Sequence, residues 1–450
     1  MRLQSADARS LERQVRQLLA DKISGNLLGL WLLVPEHLRL GTWDVLRAWS
    51  GDPSGLTVAP RIALHLVHEA ALCRPTLRTD RSLRHRGFEV VNGLPWLPTD
   101  GAVHELLEDH TVQAAQHLQV ALGKLRRAGG HFCGQVLALD PHRLHSYSKR
   151  DMAQRRASAN EPPSKQAQTF FLLDATTKQP VAVINASGAR ALCSATPELL
   201  DLAQQILPEA PAQQRTLLVA DVEHFAVELF DYVRQSTRFD LLAPLRQTAA
   251  LQAHYRALPE TAFTRHWAGF ATATEALPLR RSSSAEPCCR YIQRTGERAE
   301  EYHFKGFGCT RARPEVPLLT ADFPDRWHVE EFFRFDEHLG WNRAGTLNLH
   351  IRAGQMTMAL VAQAVIHQLR RRLGEPFNQW DSLHFARDWF GGLEGDLRVN
   401  GDTLLVTFYN APQAQKWQEH FVDLPKRLEK EGVDPRVPWL YNFKLDFRFK

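Results

Sequence analysis

The chain is 450 residues long, with 44% apolar and 23% charged residues, a formal charge of +5 and an isoelectric point near 8.9. These are the proportions of a soluble globular protein of two or three domains, basic enough to permit a polyanionic partner. Six cysteines without a C-x-x-C pair argue against a disulfide framework or zinc site. They fit a reducing cytosol, while the absence of a signal-peptide core or a bilayer-length apolar run (the longest is Leu27 to Pro35) predicts no membrane partner.

Residues 1–100 read as mainly helical, with an amphipathic Leu11 to Ile23, a helix opening at Thr42, and a basic stretch from Arg78 to Arg86 that suits either solvent or DNA. A helix ending at Gly129-Gly130 leads into the apolar run Gln135-Val-Leu-Ala-Leu-Asp140, predicted to be a buried strand ending at the aspartate. A basic loop follows, including Lys149 and Arg150. Then come Thr169 to Asp174 and Pro180 to Asn185 as a hairpin, a helix Glu198 to Ile206 capped by Thr196, and a second buried strand, Thr216-Leu-Leu-Val-Ala-Asp221. A helix near Phe225 to Gln235 and a strand Phe239 to Ala243 complete the series. Residues 250–320 read as a mostly β insertion containing Trp267. Beyond it lie the aromatic helical run Phe323-Pro-Asp-Arg-Trp-His-Val-Glu-Glu-Phe-Phe333, a long helix Gln355 to Leu373, and a hairpin turning at Asn400-Gly401.

The order of strand, hairpin, helix, strand, helix, strand and a later helix predicts an α/β fold: a ribonuclease H-like mixed sheet with helices on both faces, a mostly β insertion and a helical N-terminal region. The expected segments are a DNA-binding region at 1–100, a catalytic core at 101–249 and 321–375, the insertion at 250–320 and a C-terminal region at 376–450. Two strand-end aspartates, Asp140 and Asp221, followed by Glu330 on a later helix, form the donor set of a metal-dependent phosphoryl-transfer site. Two Mg²⁺ ions about 3.5–4 Å apart can activate the attacking oxygen and stabilise the leaving one, and Mg²⁺ favours carboxylates while keeping several waters. Taken singly, Asp140 could start a turn, Asp221 could cap the next helix, and Glu330 could pair with Arg326 four residues earlier on one helix face. His142 and His224, close after the two aspartates, are candidate neighbours of the site or ordinary part-buried side chains.

With these residues in place, the chain resembles the DDE transposases of bacterial insertion sequences, in the group with a Tyr-x2-Arg-x3-Glu-x6-Lys signature. Arg326 and Glu330 match that signature, Phe323 replaces its Tyr, and Glu337 replaces its Lys, with Arg334 and His338 nearby. The resemblance covers roughly residues 130–375. It implies DNA transposition by cleavage at element ends and strand transfer, with Asp140, Asp221 and Glu330 as catalytic metal ligands for two Mg²⁺ ions, Mn²⁺ being able to substitute. It also implies DNA contacts by Arg326, Trp267, Lys149 and Arg150. The partners implied are double-stranded DNA, as terminal inverted repeats and target, and a second copy of the chain in a homodimer on DNA, in the bacterial cytoplasm at the nucleoid. A ribonuclease H-like nuclease without joining activity, and an inactive domesticated transposase that only binds DNA, are the alternatives.

Overall fold

The computed structural model describes residues 8–74, 86–146, 151, 154–156, 162–188, 190–209, 215–343, 346 and 348–450. The chain forms two compact units, one of residues 130–332 and one of residues 1–129 with 333–450. Lys149 and Arg150, and the basic stretch between residues 75 and 85, lie outside the described residues.

The 130–332 unit is built on one mixed sheet. Its first strands are β1 (Val136–His145), β2 (Ser164–Asp174), β3 (Gln179–Ser187), β4 (Thr216–Val219) and β5 (Phe239–Pro244). β2 pairs antiparallel with both β1 and β3, whereas β4 runs parallel to β1 and β5 parallel to β4. The resulting order, β3-β2-β1-β4-β5 with β2 reversed, is the ribonuclease H-like arrangement. Helices α1 (Leu192–Ile206) and α2 (Val227–Ser236) connect β3 to β4 and β4 to β5, as the element order predicts. β4 and β5 are buried along their whole length, which is why they read as unbroken apolar runs rather than alternating ones. Helix α1 starts earlier than expected: Thr196 does not cap it but sits inside, its hydroxyl donating back to the Leu192 carbonyl, and Pro197 falls in the helix's second turn.

The insertion does not form a separate sheet. After a helix at Ala249–Ala257 come β6 (Thr264–Trp267), β7 (Phe270–Leu277), β8 (Cys288–Thr295) and β9 (His303–Cys309), an antiparallel meander whose last strand pairs with β5. The sheet therefore continues as β5-β9-β8-β7-β6. Gly306 makes β9 possible here, because a Cβ at that position would land on the hydroxyl of buried Tyr255.

The aromatic run after the insertion is not one helix. Pro324 opens a separate 3-10 turn, Pro324–Trp327, and helix α3 begins only at His328 (His328–Asp336). Arg326 thus lies in the 3-10 turn and Glu330 in the helix that directly follows it, and the ion pair of Arg326 is with Asp140 rather than with Glu330.

In the other unit, helix α4 (Leu349–Leu373) is buried along most of its length and packs against the helices Ala59–Ala71 and Val112–Ala128. The basic end of α4 is occupied internally: Arg370 forms two hydrogen bonds to buried Asp336 (2.8 and 3.1 Å), Arg371 donates to the Gly129 carbonyl, and Arg372 pairs with Glu36. Thr42 does not cap its helix. The helix follows Gly41, which takes a positive φ of 64°, and the Thr42 hydroxyl is engaged by His37 Nδ1 at 2.6 Å. His68 Nδ1 meets Asn92 Oδ1 at 2.7 Å, and the His37 and His68 rings meet edge-on with centroids 5.2 Å apart. Burial holds both imidazoles below their ordinary pKa, His68 at about 4. A second sheet contains β10 (Gly395–Asn400), β11 (Thr403–Phe408) and β12 (Phe443–Phe449). The β10–β11 hairpin turns at Gly401-Asp402, one residue later than expected. Among the described residues no helix is long and apolar enough to cross a membrane.

Candidate active site

Register brings the two aspartates together. The parallel ladder pairs Ala138 of β1 with Val219 of β4 and stops there, so Asp140 and Asp221, each two residues further on, stand level at the carboxyl ends of adjacent strands. β1 itself does not stop at Asp140. Its other neighbour, β2, is long enough to pair with it as far as His145, so the aspartate sits mid-strand on the side where β4 has ended. The carboxyl end of parallel strands, where one neighbour stops short, is where open α/β sheets expose side chains to a ligand.

Glu330 arrives from α3. Phe332 of that helix packs on Phe171, the cross-strand partner of Asp140, with ring centroids 5.6 Å apart. Val329 and Phe332 are buried, His328 Nδ1 meets the Ala175 carbonyl at 2.7 Å, and Glu331 pairs with Lys178 at 2.5 Å. These contacts dock the helix over the β2–β3 end of the sheet and leave Glu330 for the site.

The electrostatics show that the three carboxylates share one environment. The carboxyl of Asp140 is pushed up to about 7, first by its burial and then by the charges of Asp221 and Glu330, against the opposing pull of Arg326 and Arg143. Arg326 Nη1 stands 3.5 Å from Asp140 Oδ2. Asp221 uses Oδ1 to accept from its neighbour Val222 N at 2.5 Å, capping the 3-10 turn Val222–His224. It does not cap the next helix, α2, as considered: that helix is preceded by Ala226, without a side-chain cap. Among the described residues no ion pair engages Asp221 or Glu330. Asp174 gives the contrast. It is buried too, yet it accepts from Cys133 N, Gly134 N and Thr177 N at 2.6–2.9 Å, so its charge is consumed in holding a turn. Buried His224, next to the Asp221 turn, is held at about 4 by burial and is neutral at physiological pH.

The described residues contain no preformed cage of three His, Cys, Asp or Glu side chains around one point. The donor chemistry nevertheless fits Mg²⁺, which is commonly bound by one or two carboxylates plus substrate phosphate and water. Asp140 is held toward its protonated form first by burial and then by repulsion from Asp221 and Glu330, and a divalent cation would offset both.

No protein-family model and no curated protein matches the chain. Among solved structures it is similar to a piggyBac transposase in a synaptic complex with hairpin DNA, at 10% sequence identity and a TM-score of 0.41, over 82% of each chain.

Trp267 is not brought to the carboxylates. It lies on the outer strand β6, with β7, β8, β9 and β5 intervening before β4, and it is 48% exposed and stacked on Phe270 at 4.3 Å. Residues that sequence reasoning missed are Lys305 of β9, Arg246 after β5 and Arg143 of β1. Arg143 pairs with Glu223 at 2.7 Å across the site's edge. Lys305 and Arg246 join Asp221, Phe323 and Arg326 in lining one open cavity. The sequence signal for Lys305, a lone cation in an aromatic strand, is too weak to single it out, because its neighbours come from distant segments.

Proposed function

We propose that this chain is a DNA-processing phosphoryl-transfer enzyme, a DDE-type transposase that cleaves at element ends and joins the freed strand to target DNA. The observation that carries the reading is the level placement of Asp140 and Asp221 on adjacent parallel strands, with Glu330 close enough to help raise the pKa of Asp140. Asp140, Asp221 and Glu330 would hold the divalent ions, Mg²⁺ or Mn²⁺. Bound there, such ions supply an activated attacking oxygen and charge stabilisation for the leaving oxygen.

The chain's own residues do the rest. Arg326 favours the ionised, metal-binding form of Asp140 and offers planar donors to a phosphate. The Asp221 cap fixes that carboxylate's direction, and the docked α3 holds Glu330 in place. Recognition of DNA ends by residues 1–100, and action as a homodimer on DNA, belong to the same reading.

The test is cleavage of labelled end DNA in Mg²⁺ or Mn²⁺ by Asp140→Ala, Asp221→Ala and Glu330→Ala. Each is expected to lose cleavage by at least about a thousandfold while retaining DNA binding. A variant that keeps full activity removes its residue from the site, and full activity in all three ends the proposal.

A further inference from the structure

Beside the carboxylates the sheet opens into a cavity of about 470 Å³ with Asp221, Arg246, Lys305, Phe323 and Arg326 among its walls. Strand register explains the convergence. Phe307 pairs with Pro244, and Leu245 N donates to the Gly306 carbonyl, which brings Lys305 of β9 next to Arg246 at the end of β5. Val219 of β4 pairs with Leu242 of β5, so Asp221 comes level with Pro244 on the same rim. The Lys305 ammonium is steadied by two rings, 5.1 Å from the Phe307 centroid and 5.0 Å from that of Phe323.

Among the described residues neither Lys305 nor Arg246 has an ion-pair partner, and Arg326 has only the 3.5 Å contact with Asp140. Three cations therefore face one cavity in which a single carboxylate is present. The Lys305 ammonium is held below the ordinary lysine pKa by partial loss of water and then by Arg326, with Asp221 pulling the other way. Cations that repel one another across an open space are stabilised together by an anion placed between them.

We propose that this cavity seats a backbone phosphate, on the same DNA strand, that neighbours the phosphate at the carboxylates, gripped by Lys305 and Arg246 with Arg326 at the shared wall. The inference rests on the phosphoryl-transfer reading of the carboxylates and adds to it the path of the strand: away from Asp140, past Asp221, toward the end of β5 and the start of β9. Phe323 and Phe307 hold the ammonium at the rim, so the seat is built from the core and the inserted strands jointly.

The full-length chain is titrated by fluorescence anisotropy against a labelled duplex oligonucleotide, with Ca²⁺ replacing Mg²⁺, over a series of salt concentrations. Lys305→Gln and Arg246→Gln are each expected to reduce the slope of log K against log salt by about 0.9, and the double variant by about twice that, because each lost phosphate contact releases fewer counterions. Lys305→Arg should restore the slope, which a merely structural role would not predict. Lys426→Gln, a change at an exposed lysine of the other unit, should leave it unaltered. Unchanged slopes in the double variant, with its melting temperature also unchanged, overturn the seat; so does an equal effect from Lys426→Gln. The two readings separate through Asp140→Asn. Surviving cleavage in that variant removes the phosphoryl-transfer reading while the slopes still decide the seat. Lost cleavage with unchanged slopes removes only the seat.

Discussion

Arg326 pairs with Asp140, 186 residues away in sequence, and not with Glu330 one helical turn later. Arg326 lies in the 3-10 turn Pro324–Trp327, which runs directly into α3, and from there its guanidinium reaches the β1 carboxylate. The guanidinium is thereby the main counterweight to the burial and repulsion acting on Asp140.

Removing that counterweight should cost function more than stability. Arg326→Gln is expected to slow divalent-dependent cleavage more than about tenfold and to shift its pH dependence upward, since Asp140 would ionise at still higher pH. Arg326→Lys keeps the charge but not the planar donors, and should recover the pH profile without the full rate. Rate profiles between pH 6 and 9, with melting temperatures alongside, check both. Unaltered profiles in Arg326→Gln would leave the arginine as a surface charge.

The raised pKa of Asp140 carries a stability signature. Between its ordinary pKa of 3.8 and about 7 the folded chain holds a proton that the unfolded chain has released, so this group's contribution to stability falls as pH rises through that window. Asp140→Asn removes the penalty and should stabilise the 130–332 unit by about 1–2 kcal/mol at pH 8, with the difference vanishing near pH 4. Denaturant titrations of both proteins at pH 4, 6 and 8 measure it. A variant less stable than the wild type at pH 8 contradicts the argument.

His68 predicts the opposite slope in the other unit. A buried imidazole held at about 4 is neutral when folded, whereas the unfolded side chain takes up a proton near 6.5. Its contribution is complete above pH 6.5 and declines as pH falls toward 4. Calorimetry between pH 7 and 4.5 should show a transition moving to lower temperature on acidification, and His68→Gln should flatten that movement. An unchanged pH dependence in the variant would place the acid sensitivity elsewhere.

Divalent cations should bind the carboxylates measurably without any substrate. Millimolar Mg²⁺ or Mn²⁺ at pH 8 is expected to raise the melting temperature of the wild-type chain by about 2–4 °C and to leave Asp140→Asn/Asp221→Asn unmoved. An equal shift in both proteins would point to binding elsewhere.

Arg370 and Asp336 form a buried pair joined by two hydrogen bonds. Arg370→Met alone should destabilise by about 3–5 kcal/mol, because it removes the ion-pair partner of a buried carboxylate and leaves it only the Gln363 hydrogen bond and the nearby charge of Arg126, whereas Arg370→Met/Asp336→Leu should recover part of that loss. Chemical denaturation of the single and double variants decides it. A double variant as unstable as the single one would mean that the pair does more than neutralise itself.

Local pattern was enough to read the order of elements in the core. The buried runs ending near Asp140 and Asp221, the β2–β3 hairpin and the alternation of strands with helices all follow from short-range periodicity and turn residues, which act within a few positions of the chain. The same runs placed Asp221 just past the end of its strand, whereas Asp140, expected at a strand end, lies within a strand that runs on to His145. Other features depended on partners that periodicity does not specify. β1 extends past Asp140 because β2 is long enough to pair with it; the inserted strands join the core sheet because β9 pairs with β5; Arg326 meets Asp140 across 186 positions of sequence; and Lys305 reaches the rim of the site through a register set by residues more than sixty positions away. A side chain's face is encoded by its neighbours in sequence, but its partners are set by long-range pairing, and only the folded chain decides those.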